Sequence, residues 1–79
     1  MAEFNYDEAI EAYRDGYQVD TFNTTVKTSL AEAYNTRGLD YVTKEKYLQA
    51  VADFKEALAL FPDNADYQTN YDSVAAYDS

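Results

Sequence analysis

The chain has 79 residues, two glycines, one proline and neither cysteine nor histidine. It therefore has room for one domain, has no disulfide framework or thiolate site, and lacks the commonest metal ligand and general base. Fifteen acidic against six basic residues give a formal charge of -9, which repels nucleic-acid phosphates and anionic lipid surfaces and attracts basic partners.

Helix formers are spread along the whole chain, and the expected class is all-α. Tyr6, Ile10, Tyr13 and Tyr17 recur at helical steps with charged residues between them, predicting a first helix from about Asn5 to Val19. Phe22, Val26, Leu30, Ala33 with Tyr34, Gly38 and Tyr41 continue the same period as far as a turn at Thr43-Lys44-Glu45. Two starts compete for this second helix. Ser29-Leu30-Ala31-Glu32 reads as a capping box, but the apolar spacing runs back to Phe22, and the longer helix, from about Thr21 or Phe22, is the one expected. A third helix spans about Lys46 to Leu60 and ends before Pro62, because the residue preceding a proline disfavours the α region. Asp63 or Asn64 then caps a fourth, with Tyr67, Tyr71 and Val74 as its stripe. The longest apolar run, ALALF at 57–61, is far short of the roughly 20 residues that cross a bilayer, and a soluble, cytoplasmic chain without a membrane partner is expected.

Folding the chain back around Lys44 sets equidistant residues opposite one another: Tyr41 with Tyr47, Gly38 with Ala50, Tyr34 with Phe54, Leu30 with Leu58. A glycine inside a helix costs roughly 1 kcal/mol relative to alanine, and close approach of two helix axes opposite Ala50 accounts for Gly38. About Pro62 the same operation pairs Tyr67 with Ala57, Val74 with Ala50 and Tyr77 with Tyr47. About the first turn it pairs Tyr17 with Val26, Tyr13 with Leu30 and Ala9 with Tyr34. The nine tyrosines read as core aromatics with hydroxyls at the edge.

Tyr34, Gly38, Tyr41, Ala50, Phe54, Ala57 and Pro62 together resemble the signature of the tetratricopeptide repeat, a helix pair of roughly 34 residues with an aromatic, Gly, Tyr, Ala, Phe or Tyr, Ala and Pro at fixed offsets. The resemblance implies antiparallel helix hairpins stacked as a short solenoid of about four helices within a single domain, 1–79. Residues 31–64 would be the complete repeat, 5–19 the second helix of a partial repeat, and 65–77 a capping helix. Ala9 and Tyr13 stand at the places of Ala50 and Phe54. Three departures stand out. About seven extra residues separate the first unit from the second, Glu45 stands where the turn usually carries glycine, and Asp72 stands where a following unit needs its close-packing glycine. The count falls short of the three repeats such stacks usually need, so either the long second helix compensates or helix 1 offers an apolar face to another chain.

The resemblance also implies a function, that of a protein–protein interaction module. Its groove would be lined by the helices at about 22–43 and 65–77, and the residues carried over to it are Glu32, Asn35, Thr36, Leu39, Val42 and Thr43, then Asp66, Thr69 and Asn70. The family's best-known ligand mode grips a C-terminal carboxylate with cations; Asp66 and Asn70 occupy two of those places, which points instead to a basic or amphipathic peptide. For Glu32 and Asp66 the alternative is a solvated helix face, and for Asn35 and Asn70 a helix–helix hydrogen bond. Self-association through helix 1 or the stack end, giving a homodimer, is the competing function, in a natural, excised or designed fragment. Glu8 with Glu11 and Asp63 with Asp66 are carboxylate pairs on exposed faces, where nothing raises a pKa for acid catalysis. Asp63-Asn64-Ala65-Asp66 lacks the oxygen alternation and glycine of a calcium loop. No catalytic residue, metal ligand or cofactor is assigned.

Overall fold

The Asn5 side chain accepts a hydrogen bond from the Glu8 N–H at 3.2 Å and so opens α1, Tyr6–Val19. Asn23 does the same for Val26 at 3.1 Å and opens α2, Thr24–Thr43. Asn64 caps α4, Ala65–Val74, through the Tyr67 N–H at 3.0 Å. Between α2 and α4 lies α3, Tyr47–Leu60, and a 3₁₀ turn, Ala75–Tyr77, follows α4. The computed structural model describes residues 5–78. Its four helices run up and down as stacked antiparallel hairpins, an all-α helical-repeat arrangement. Among the described residues no helix is long and apolar enough to cross a membrane.

The second helix starts later than its apolar spacing suggests. Phe22 keeps the period but is 94% exposed. Its N–H is held by the Asp20 carboxylate at 3.2 Å, a local turn that competes with helix. The cap chemistry of Asn23 then sets the boundary, while Ser29 lies inside the helix. At the far end of α2, Glu45 adopts φ 61, the left-handed conformation usually left to glycine. The Lys46 N–H reaches Tyr41 O at 2.8 Å and the Glu45 N–H reaches Val42 O at 3.0 Å. These are the two closing bonds of a Schellman motif. Glu45 thus takes up glycine's backbone conformation at the place where the family usually carries glycine.

Two clusters make the core. Ile10, Leu30, Ala31, Tyr34, Ala57 and Tyr67 form the first, with Leu58 and Tyr17 at its edge. Ala50, Val51, Phe54 and Val74 form the second, flanked by Tyr41, Val42, Tyr47 and Tyr71. Leu30 with Leu58, Tyr67 with Ala57 and Val74 with Ala50 are thereby brought together, and Tyr47 stacks on Tyr77 with centroids 4.5 Å apart. Other pairings are displaced by about a turn. A Cβ on Gly38 would lie 2.6 and 2.8 Å from the Phe54 ring, so Gly38 opens space for Phe54 and not only for Ala50, while Tyr34 belongs to the other cluster. The cause is directional: helical side chains lean toward their own N-terminus. In an antiparallel pair the two leans oppose, and a ring reaches the level below its own Cα. On α1 it is Ile10, not Tyr13 or Ala9, that joins Leu30 and Tyr34 in the core. Among the tyrosines only Tyr34 and Tyr67 are buried; the rest line the cluster margins or the surface.

Gly38→Ala makes opposing demands. Alanine in a helix interior gains about 1 kcal/mol over glycine, yet its methyl would overlap a Phe54 ring that is fully buried. Overpacking of this kind costs about 1–3 kcal/mol, so net destabilisation of about 1 kcal/mol in urea unfolding is expected.

The helices obey an internal register. Tyr6 and Tyr47, which start α1 and α3, lie 41 residues apart, as do Val19 and Leu60, which end them. The caps Asn23 and Asn64 share this offset. So do Ala9 with Ala50, Ile10 with Val51, Tyr13 with Phe54 and Ala33 with Val74. Helix α1 and the first half of α2, residues 24–33, are therefore matched in register by α3 and α4.

Candidate functional site

Helix α2 is central, and its outer face carries the residues that the resemblance nominates. Glu32, Thr36 and Thr43 are exposed, and Leu39 is 43% exposed. On α4, Asp66 and Thr69 are exposed. Asn35 and Asn70 are engaged with each other: the Asn70 amide donates to Asn35 Oδ1 at 2.7 Å, a cross-link that holds α4 beside α2. Val42 is half-buried against the second core cluster. Burial raises the pKa of Tyr67, and the carboxylates of Glu32 and Asp66 raise it further.

Sequence reasoning missed the strongest polar centre. Arg37 donates through Nε and Nη2 to the two oxygens of Asp53, at 2.8 and 2.6 Å, and through Nη1 to Asp7 at 2.8 Å. The guanidinium also lies over the rings of Tyr34 and Tyr41, 5.8 and 5.7 Å from their centroids. Asp53 is only 3% exposed. Its hydrogen bonds push the Arg37 pKa above an already high ordinary value, against the opposing effect of burial. One residue thus ties α1, α2 and α3. The available signal was an aspartate inside the apolar run of α3, next to Phe54.

A second polar cluster fastens the C-terminal turn. Asp78 accepts from the Tyr71 hydroxyl and from Lys55 at 2.9 Å. The hydrogen bond from Tyr71, then that from Lys55, holds the Asp78 carboxyl below its ordinary pKa. A depressed carboxyl contributes stability above its unfolded pKa and loses it as pH falls through the folded one. The protection of the Ala75–Tyr77 amides against exchange, relative to their intrinsic rates, is therefore expected to fall once pH drops below the carboxylate range, while that of the buried α3 core holds.

Arg37 and Asp7 line two polar concavities, of about 360 and 490 Å³. A less polar groove of about 370 Å³ opens between α1 and α2, with Tyr6, Ala9 and Tyr13 on one side and Ser29, Glu32, Ala33 and Thr36 on the other. Its lining is mainly apolar, and Glu32 is its one charged side chain. Only Glu32 and Thr36 were foreseen as surface positions of this kind. The α1 wall escaped notice because Tyr13 reads as core from its spacing, whereas it is 38% exposed.

Comparison with known proteins agrees with the geometry. The family model of the tetratricopeptide repeat matches residues 31–64, a segment that spans most of α2, all of α3 and the Pro62 turn. No curated protein and no solved structure gives a significant match to the chain. Repeats of this family generally mediate protein–protein interaction, bind proteins or peptides, and are typically not enzymes. With Gly38 laid on the Phe54 ring, Ala50 and Ala57 fully buried and Pro62 just past the end of α3, residues 31–64 are a tetratricopeptide repeat.

Proposed function

We propose that the protein is an interaction module whose α2–α4 face receives a basic or amphipathic peptide. The observation that carries this reading is the exposed apolar side chain of Leu39 on α2, with Glu32 exposed on the same helix and Asp66 exposed on α4, the two helices being locked by the Asn35–Asn70 bond. Leu39 supplies an apolar anchor and the carboxylates steer a cation; Thr36, Val42 and Thr69 complete the strip. A chain charge of -9 favours fast encounter with basic segments at low salt. Titration of labelled protein with a lysine-rich amphipathic peptide is expected to shift Glu32, Thr36, Leu39, Asp66 and Thr69 together, with affinity falling as salt rises. Leu39→Ser is expected to weaken binding about fivefold, equivalent to about 1 kcal/mol. Shifts confined to α1, or an affinity indifferent to salt, would reject this face.

Self-association is the second reading, favoured by Val19 and Phe22, which are 89% and 94% exposed at the α1–α2 turn. Light scattering over a concentration series separates the two, and a strict monomer throughout sinks self-association.

A further inference from the structure

The internal register compares two versions of one surface. In the α3–α4 hairpin, Ala50 and Phe54 are both 0% exposed. What covers them is α2: Gly38 lies on the Phe54 ring, Tyr41 and Val42 pack into the same cluster, and Asn35 accepts the hydrogen bond from Asn70. In the α1–α2 hairpin the matching residues are Ala9, Tyr13 and Ser29. Ile10 is buried to 3%, like its counterpart Val51 at 5%, yet Tyr13 is 38% exposed and Ala9 only half-buried. The difference is one covering helix. No helix among the described residues occupies the α1–α2 groove, which preserves the walls that hold α2 in the matched hairpin.

From this we infer that the α1–α2 groove receives an α-helix of a partner chain whose contact face follows that of α2. A glycine or alanine lies against Tyr13, because Phe54 accepts its neighbour only through the missing Cβ of Gly38. A hydrogen-bonding side chain three residues earlier meets Ser29, and aromatic or β-branched residues three and four positions later cover Ala9. These contacts span two turns, about 10 Å of helix. Glu32 stands on the wall where the matched hairpin has uncharged Ser73, so the partner helix brings a basic side chain to that edge. This site shares Glu32 and Thr36 with the α2–α4 face but not Leu39, Asp66 or Thr69, so those three residues tell the two readings apart.

The test uses the full chain and a lactam-bridged helical peptide with the sequence of residues 31–46, the segment that fills the matched groove. Titration followed by NMR is expected to shift Ala9, Tyr13 and Ala33 and to leave Phe54 and Val74 in place. Replacing the peptide's Gly38 by Leu, or the protein's exposed Tyr13 by Gln, is expected to weaken binding about tenfold, whereas Leu39→Ser in the protein changes nothing. The inference fails if the glycine and leucine peptides bind alike, if Tyr13→Gln is neutral, or if α1 stays silent at millimolar peptide. Shifts at Leu39, Asp66 and Thr69 alone would support the α2–α4 reading and overturn this one. Concentration-dependent dimerisation that moves Tyr13 without peptide would make a second copy the occupant and overturn the assignment to a partner chain.

Discussion

Arg37→Met is expected to destabilise the domain by about 3–5 kcal/mol, the range measured when one member of a buried ion pair is removed. The magnitude comes from what is left behind. The Asp53 side chain is 4% exposed, and without Arg37 its carboxylate has lost both hydrogen bonds in a place where water hardly reaches. Folded domains of this size hold roughly 4–12 kcal/mol in total, at about 0.05–0.15 kcal/mol per residue, so much of the stability goes with one side chain. The third partner matters far less. Asp7 is 76% exposed, and an exposed ion pair contributes about 0–1 kcal/mol. Arg37→Met combined with Asp53→Leu removes the stranded charge and is expected to recover most of the loss. Urea unfolding of the two single variants and the double one decides the matter. A double variant no better than Arg37→Met would show that the pair is not the origin of the effect.

Phe54→Ala ranks beside it, with an expected cost of about 3–5 kcal/mol. The ring is fully buried and is the piece that fills the concavity left by Gly38 between α2 and α3. Truncation leaves a void on the very side where α2 has no Cβ to extend into it, so little collapse can relieve the cavity. Phe54→Leu is expected to cost less, and in that background Gly38→Ala should change sign from destabilising to stabilising, because the overlap goes and the helix-propensity gain stays. Coupling between the two sites in a double-mutant cycle is the readout. Strict additivity would mean that the ring does not rest on the glycine.

Where the determinants are local, the sequence was readable. The ends of α1 and α3, the stop before Pro62 and the Asn64 cap follow from period and cap chemistry within a few residues. The start of α2 was misplaced because Phe22 keeps the helical interval while a two-residue turn at Asp20 takes its N–H. The mirror pairing found the right helices and several right levels, Leu30 with Leu58 and Tyr47 with Tyr77 among them, but missed that Phe54 reaches Gly38, since counting Cα positions ignores the lean of side chains. For Asn35 and Asn70 the structure carries the alternative reading, a helix–helix hydrogen bond, rather than a free ligand position. Arg37, Asp53 and Asp7 come from three helices and meet only at a given rotation of each. The groove beside Tyr13 was hidden for a related reason: periodicity tells which face is apolar, not whether anything covers it.

The register of 41 residues between α1 and α3 also makes the chain extendable. A second copy of residues 6–46 spliced ahead of the first would place the end of one α2 before a Tyr6, as the present α2 stands before Tyr47. The inserted glycine would settle over Tyr13 as Gly38 does over Phe54. Length then becomes a variable that can be set by concatenation, with every added link closing the surface its neighbour leaves open.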